Sequence, residues 1–218
     1  MRHVLTADHP ARTPRLCGMA LVFGMLVGCG ERNAATIQPA LTVTNPQPPW
    51  QAAALAHGGV GSPPERSDGC RAAVDRALDV LAETGSPLEA AVAGIQVLED
   101  DARFNAGTGS RLRIDGHTIQ MDAAVMDSTG RFGAVAVVEN VRNPVLVARG
   151  VADTPHLLLA GDGATRFART LGLAPYDPTT DTVREKTMAL REKLQSDDPG
   201  LPEAWKEFDW RTHWNFDQ

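Results

Sequence analysis

The sequence predicts an α/β domain, in which helices pack against a sheet. Apolar residues recur at helical spacing over 72–81 and again over 86–98. Residues 119–126 then alternate in a strand-like pattern, and the run at 132–138 is apolar on both faces, as in a strand covered by other layers. The chain has 218 residues, 43% of them hydrophobic and 22% charged, which is typical of a globular domain with a sizeable core.

Local signals place the first elements. A short apolar run at 52–56 leads into a glycine turn, although its period alone does not distinguish a buried strand from a helix. The first helix is predicted to end near Gly85. The next begins at once, because Ser86 and Glu89 form a capping-box pattern with Pro87 at the first helical position.

Turn and capping residues predict the remaining elements. A turn at 127–130 joins the two strands as a hairpin. An Asn-Pro pair at 143–144 starts a helix, and 165–171 forms another that the following glycine ends. Residues 180–194 predict a charged, solvent-facing helix. Residues 195–218 contain scattered aromatic side chains without a clear period, so we expect a mobile linker there.

The N-terminus predicts export. Three arginines precede an apolar run at 16–27, which is too short for the roughly 20 residues of a spanning helix, so residues 1–28 are interpreted as an export signal. Leu-Val-Gly-Cys at 26–29 resembles the bacterial lipoprotein signal. That implies a lipid on Cys29 and an exported protein, periplasmic or in the outer membrane, that meets the membrane only through its lipid anchor. The alternative is an ordinary signal cut near 34–35.

Composition narrows the classes of function. Residues 29–53 are rich in Pro, Thr, Asn and Gln and predict a flexible tether. If Cys17 leaves with the signal and Cys29 carries lipid, only Cys70 remains and no internal disulfide forms. The formal net charge of −6 argues against nucleic acid as a partner bound by charge. The histidines and cysteines show no zinc-ligand spacing.

Residues 98–110 predict a functional site. An apolar helical run ends on three carboxylates at 99–101, although a helix C-terminus already carries partial negative charge, so we expect a positive group nearby. The turn that follows, Phe-Asn-Ala-Gly-Thr-Gly-Ser at 104–110, places Asn105 between an apolar anchor and small residues. This pattern suits a positioned hydrogen-bond donor. The alternative is a turn-forming Asn without a catalytic role.

This turn resembles the isoaspartyl peptidase and plant-type L-asparaginase family, which belongs to the N-terminal-nucleophile hydrolases. Segments 57–61 (His-Gly-Gly-Val-Gly), 143–149 and 154–164 also resemble that family, and the similarity covers 54–172. The resemblance implies the four-layer αββα fold, with two sheets between helices, in which the first apolar run is a strand. Residues 54–194 then correspond to the α-subunit half only.

The resemblance also implies a self-cleaving amide hydrolase. In the family, the precursor is cut before a threonine in a Gly-Thr-Val-Gly segment, and that threonine becomes the nucleophile with its own α-amine as base. This sequence has no such segment, and Thr182, which follows Asp181, does not match it. The implied partner is the β-subunit of the same precursor in an (αβ)2 assembly. The implied substrates are β-aspartyl (isoaspartyl) dipeptides and L-asparagine, with no activity expected without the β-subunit.

Roles for individual residues follow from the same resemblance. Asn105 is implied to lie beside the partner's threonine and to help stabilise the charge on the attacked carbonyl. His57 is expected to hold the glycine turn. The resemblance also implies a structural sodium ion, and backbone oxygens are the ligands that such a hard cation prefers. The alternative is an acidic helix end that is simply solvated. The implied ligands are the backbone carbonyls of Leu98, Glu99, Asp101, Phe104, Ala106 and Thr108.

Two other interpretations stay open. One is a glycosylasparaginase-like hydrolase, although the segments at 57–59 and 104–107 look more like the peptidase branch. The other is a truncated, non-catalytic surface lipoprotein. Because the chain keeps Met1 and its signal, we expect a truncated reading frame or a fragment rather than a processed subunit. A downstream continuation that encodes Gly-Thr-Val-Gly would favour the enzyme.

The lipoprotein signal yields the first prediction. Labelled fatty acid should be incorporated into the wild-type chain and into a Cys17→Ala control, but not into Cys29→Ala, because only the Cys29 thiol accepts the lipid. Incorporation is measured by gel autoradiography of the purified chains. Equal labelling of wild type and Cys29→Ala, or none in either, contradicts the lipid anchor.

Overall fold

The computed structural model describes residues 3–6, 52–196, 198–201, 203–209 and 212. Cys29, most of the predicted signal (1–28) and tether (29–53), and the last residues of the predicted linker lie outside this description. None of the helices in the described part is long and apolar enough to span a membrane. In chain order the elements are β1 (His3–Thr6), β2 (Ala53–Ala56), a 3₁₀ turn (Pro64–Arg66), α1 (Ser67–Thr84), α2 (Pro87–Asp100), β3 (Met121–Met126), β4 (Phe132–Val138), α3 (Pro144–Val151), β5 (Leu158–Ala160), α4 (Gly161–Thr170), α5 (Asp181–Gln195) and α6 (Glu203–Glu207).

The described strands form two sheets. β1 pairs antiparallel with β2, and Val4 lies opposite Leu55. The second sheet has the order β3-β4-β5, with β3 antiparallel and β5 parallel to β4. The hairpin between β3 and β4 is confirmed, since Gly130 N donates to Asp127 O at 3.1 Å. The mixture of helices and sheet confirms the α/β class, and the four-layer αββα arrangement stays a prediction.

The first apolar run forms a strand, β2, as the family resemblance implied, and this strand is only partly buried. Ala53 and Leu55 are exposed, with Leu55 at 60% of its full exposure, while Ala54 and Ala56 are half-buried. β2 contacts α1. Within the described part, one face of the strand rests against the domain and the other is open.

The two antiparallel helices α1 and α2 lie unusually close. α1 ends as predicted at Gly85, which adopts φ 66°. Gly94 of α2 faces the Ala73 carbonyl of α1, where an added Cβ would lie 2.9 Å from that oxygen. A side chain larger than hydrogen would therefore separate the helices.

Only half of the predicted capping box forms at the start of α2. Ser86 Oγ accepts a hydrogen bond from Glu89 N at 3.3 Å, as expected. The reciprocal bond is missing, because Ser86 N donates to Thr84 Oγ1 at 3.1 Å. The Glu89 carboxylate instead accepts from Arg149 Nε of α3 at 2.7 Å. Folding therefore brings Arg149 close to Glu89, and the Glu89 carboxylate accepts from this arginine instead of from Ser86 N.

The main core lies between the three-stranded sheet and α3. α3 contacts β3 and β4, while α4 contacts β4 and β5. Residues 133–135 are buried in succession, so both faces of β4 are covered there, as predicted. Gly133 has the closest approach, since an added Cβ would lie 2.3 Å from Ala148 O of α3. The fully buried valines of this core include Val135, Val138, Val141, Val145, Val147 and Val151.

Two later elements differ from their predictions. α4 begins at Gly161 rather than at residue 165, although Gly172, with φ 81°, follows its end as expected. α5 begins after its cap Thr180, but it is not solvent-facing on all sides, because Val183, Thr187 and Leu194 are buried. These buried positions recur at helical spacing but stand among charged residues, so the narrow apolar face was not recognised in the sequence. The predicted linker contains α6.

The contact between β4 and α3 yields a prediction on stability. Gly133→Ala should lower the free energy of unfolding by about 1–3 kcal/mol, because its Cβ meets backbone atoms of α3 that cannot move aside. The control is Gly163→Ala in α4, where an added Cβ meets nothing within 4 Å, and this change should be neutral or stabilising by up to about 1 kcal/mol. Urea denaturation measures both. Equal destabilisation of the two variants contradicts the close packing.

Candidate functional site

The acidic end of α2 is surrounded by arginines, as the sequence predicted. Asp100 Oδ1 accepts from Arg142 Nε at 2.8 Å. Asp101 Oδ2 lies 2.6 Å from Arg103 Nη2, and that guanidinium also binds Asp68 at 3.0 Å. Hydrogen bonds from Arg103 hold the pKa of the Asp101 carboxyl below its usual range. Two of the three carboxylates at this helix end are therefore paired with cations.

Glu99 is the exception. It is 3% exposed, and its Oε1 accepts a hydrogen bond from Val145 N in the first turn of α3 at 3.0 Å. Oε2 has no hydrogen-bond partner among the described residues. Burial raises the pKa of Glu99 to about 7, against the opposing effect of the Val145 N–H. From the sequence, only the backbone carbonyl of Glu99 was predicted to have a role. No nearby sequence pattern indicated that its side chain contacts α3.

The turn after α2 folds back onto the helix end. Phe104 is 2% exposed and anchors the turn against α1, where an added Cβ on Gly69 would lie 2.6 Å from its ring. Thr108 N donates to Glu99 O at 2.7 Å. Gly107 has φ 50°, and a Cβ there would lie 2.4 Å from the same Glu99 oxygen. The turn therefore requires glycine at this position, both for the backbone angle and for the close approach.

Asn105 sits exposed at the mouth of a cleft. Its Oδ1 accepts from Arg111 N at 2.9 Å, a bond that spans six residues, whereas an Asx turn bonds two residues on. Because Arg111 N is a donor, the Asn105 side-chain atom that it contacts is the oxygen. The side-chain NH2 group of Asn105 has no hydrogen-bond partner among the described residues. The arrangement is that of a positioned donor, and the catalytic role of Asn105 stays a prediction.

The cleft beside Asn105 has a volume of about 290 Å³. One wall is the turn after α2, and the opposite wall is the start of α5, about 70 residues later in the chain. No sequence pattern predicted that α5 meets this turn. The lining residues are Arg66, Ala102, Arg103, Phe104, Asn105, Gly109, Arg111, Thr180, Thr182, Val183, Lys186 and Thr187.

The implied sodium ligands lie along one closed loop. Besides the bond between Thr108 N and Glu99 O, Phe104 N donates to Asp101 O at 3.0 Å. These two bonds draw the loop of residues 98–108 into a ring, and each accepting carbonyl keeps a second lone pair for a cation. In the described part, no cluster of three or more His, Cys, Asp or Glu side chains is placed to hold a metal. The sodium site at these backbone carbonyls stays a prediction.

His57 holds the glycine turn after β2, as expected. Its Nδ1 accepts a hydrogen bond from Gly59 N at 3.1 Å, and Gly59 adopts φ 88°. The imidazole is therefore used as a local backbone acceptor.

Comparison with known proteins identifies a family. The model of one family, described as asparaginase, matches residues 52–204. The chain belongs to this family. The family predicted from the turn at 104–110 is thereby confirmed.

Relatives of this asparaginase-family chain carry two names. The plant-type L-asparaginase of Pyrococcus abyssi is 44% identical over 162 residues, which cover 71% of this chain and 52% of the relative. The isoaspartyl peptidase/L-asparaginase of Xenopus laevis is 41% identical over 140 residues, which cover 61% of this chain and 45% of the relative. The corresponding protein of Rattus norvegicus is 39% identical over 147 residues, 64% of this chain and 44% of the relative. The chain spans about half the length of these relatives.

The burial of Glu99 yields a prediction on pH dependence. Because the pKa rises from 4.5 to about 7 on folding, the folded state binds the proton more tightly than the unfolded state. The contribution of Glu99 to the free energy of unfolding should therefore be fully present below pH 4.5, and roughly 3 kcal/mol of it should be lost as the pH rises through 7. Glu99→Gln should not show this loss. Urea denaturation between pH 4 and 8 measures both chains, and parallel profiles contradict the raised pKa.

Proposed function

We propose that this chain is the α-subunit portion of a self-cleaving amidohydrolase that acts on β-aspartyl dipeptides and L-asparagine. The observation that carries the proposal is the oriented amide of Asn105 at an open cleft in a member of the asparaginase family. The nucleophilic threonine would come from the β-subunit of the same precursor, because the sequence contains no Gly-Thr-Val-Gly segment. The names of the relatives favour this proposal over a glycosylasparaginase.

The chemistry divides between the two portions. The threonine hydroxyl of the β portion attacks the side-chain amide carbon of the substrate, and its own α-amine takes the hydroxyl proton. Negative charge then develops on the carbonyl oxygen. The NH2 group of Asn105, fixed by the bond from Arg111 N to its oxygen, donates to that charge or to the threonine oxygen. The amine leaves with the proton, and water releases aspartate from the acyl-enzyme.

The proposed structural cofactor is a sodium ion within the loop of residues 98–108. Its carbonyl ligands would be those named from the sequence, and the ion would stabilise the turn that presents Asn105. The proposed assembly is (αβ)2, and the proposed location is the periplasm or the outer membrane, with the membrane contacted through lipid on Cys29.

The sodium proposal predicts a cation-specific gain in stability. The melting temperature should be higher by several degrees in sodium chloride than in tetramethylammonium chloride at equal ionic strength, because an ion bound only to the folded state stabilises it. Gly107→Ala, which pushes a methyl group against Glu99 O, should lose this difference. Gly130→Ala is the control, since it has a similar positive φ but open space around it. Identical melting in both salts argues for a solvated acidic helix end.

The division of the chemistry predicts the activity. The 218-residue chain should hydrolyse neither β-aspartyl dipeptides nor asparagine, and extension through a β portion should restore self-cleavage and hydrolysis. In the extended protein, Asn105→Ala should lower kcat by about 10- to 1,000-fold, the range for loss of one positioned donor. Asn105→Asp keeps the acceptor for Arg111 N but removes the donor, so it should be equally impaired.

Two results contradict this division. Turnover of β-aspartyl dipeptides by the 218-residue chain at an ordinary enzymatic rate refutes the half-enzyme. Full activity of the extended Asn105→Asp variant returns Asn105 to a turn-forming role.

A further inference from the structure

Among the described residues, the lining of the cleft beside Asn105 includes four cations and no acidic side chain. Arg103 is already paired with Asp101 and Asp68. Arg111 and Lys186 form no ion pair with any carboxylate of the described residues, although the chain as a whole has a net charge of −6. Arg66 also lines the cleft and donates to the Arg103 backbone oxygen, without an ion pair among the described residues. Three uncompensated positive charges on an acidic protein mark a place where an anion is favoured.

The start of α5 adds to this positive potential. Thr180 and Thr182 line the cleft, so the N-terminal end of this 15-residue helix lies beside it, and its partial positive charge is opposed in part by Asp181 in the first turn. Lys186 lies one turn after Thr182, and both line the cleft. The helix end, Lys186 and Arg111 thus surround the same cavity.

Arg111 is tied to the proposed catalytic amide. Its backbone N–H orients Asn105, and both residues line the cleft. If Asn105 marks the carbonyl that is attacked, the substrate shares its cleft with the cations, and we assign them to the leaving part of the substrate. For asparagine that part is ammonia. For a β-aspartyl dipeptide it is an amino acid with a free carboxylate.

We propose that Arg111 and Lys186 bind the carboxylate of the leaving amino acid and so select β-aspartyl dipeptides over asparagine. This inference rests on the proposed function. A guanidinium fork matches the two oxygens of a carboxylate, and a lysine adds a point charge. The volume of about 290 Å³ is at the lower end for small-molecule sites, which suits a dipeptide rather than a longer chain.

The first test is binding to the 218-residue chain, so that it does not depend on activity. Calorimetry at low salt compares β-aspartyl-leucine with the same dipeptide amidated at its C-terminus. The free acid should bind about 3- to 30-fold more tightly, a range for charge-assisted contacts at a partly exposed site. The double variant Arg111→Gln/Lys186→Gln should lose this preference. Arg166→Gln removes an exposed cation of α4 outside the cleft and should retain it.

Three outcomes of this titration overturn the proposal. They are equal affinities of acid and amide, no detectable binding of the acid, and the same loss in Arg166→Gln. Inorganic phosphate is titrated in parallel, because its oxygens present similar chemistry. Binding of phosphate more than tenfold tighter than that of the dipeptide assigns the cleft to phosphate and also overturns the proposal.

The second test separates this inference from the proposed function. In the extended protein, Arg111→Gln should raise KM for β-aspartyl-leucine by about 3- to 30-fold and lower kcat/KM for asparagine by a smaller factor, because the backbone bond to Asn105 is kept while the contact with the leaving carboxylate is lost. Equal losses on both substrates would show that Arg111 acts through the fold and overturn selection by charge. An extended protein that hydrolyses neither substrate refutes the proposed function, while the titration still decides whether the cleft binds a carboxylate.

Discussion

The arrangement of the site depends on two hydrogen bonds made by Glu99. Its backbone oxygen accepts from Thr108 N, which closes the turn that carries Asn105, and its carboxylate accepts from Val145 N, which fixes the start of α3. One residue at the end of α2 therefore holds two segments that are separated by more than 30 positions in the chain. Since α3 packs directly on β4, the turn is placed relative to the sheet and not only to its own helix.

This placement has an energetic cost at neutral pH. Glu99 is buried beside the negative end of its own helix, and unlike Asp100 and Asp101 it has no arginine partner in the part of the chain that the structure describes. A buried carboxylate with an open oxygen loses hydration that one backbone N–H does not replace. The ion pairs of Asp100 with Arg142 and of Asp101 with Arg103 compensate the other two carboxylates of this helix end. The unfavourable charge is therefore confined to Glu99, which joins the turn to α3.

The sequence predicted what is decided locally. The glycine stop of α1, the Ser86 cap and the exposed Asn105 turn each depend on residues within about six positions, and the structure shows them. It did not predict contacts set by folding. The Glu89 carboxylate binds Arg149, 60 positions away, instead of completing its capping box. α5 buries a narrow apolar face that was not recognised among its charged residues. The cleft belongs to this second class, because its walls are distant in sequence.

The segment between α4 and α5 explains how those walls meet. Gly109 N donates to Pro178 O at 2.8 Å, and the Thr108 hydroxyl bonds the Tyr176 hydroxyl at 2.9 Å. The turn that presents Asn105 is therefore hydrogen-bonded directly to the segment that leads into α5. Lys186 reaches the cleft through these contacts, so one scaffold positions both the amide donor and the cations. The turn is also held from its other side by Glu99, so it has two independent anchors, one at the end of α2 and one in the segment before α5.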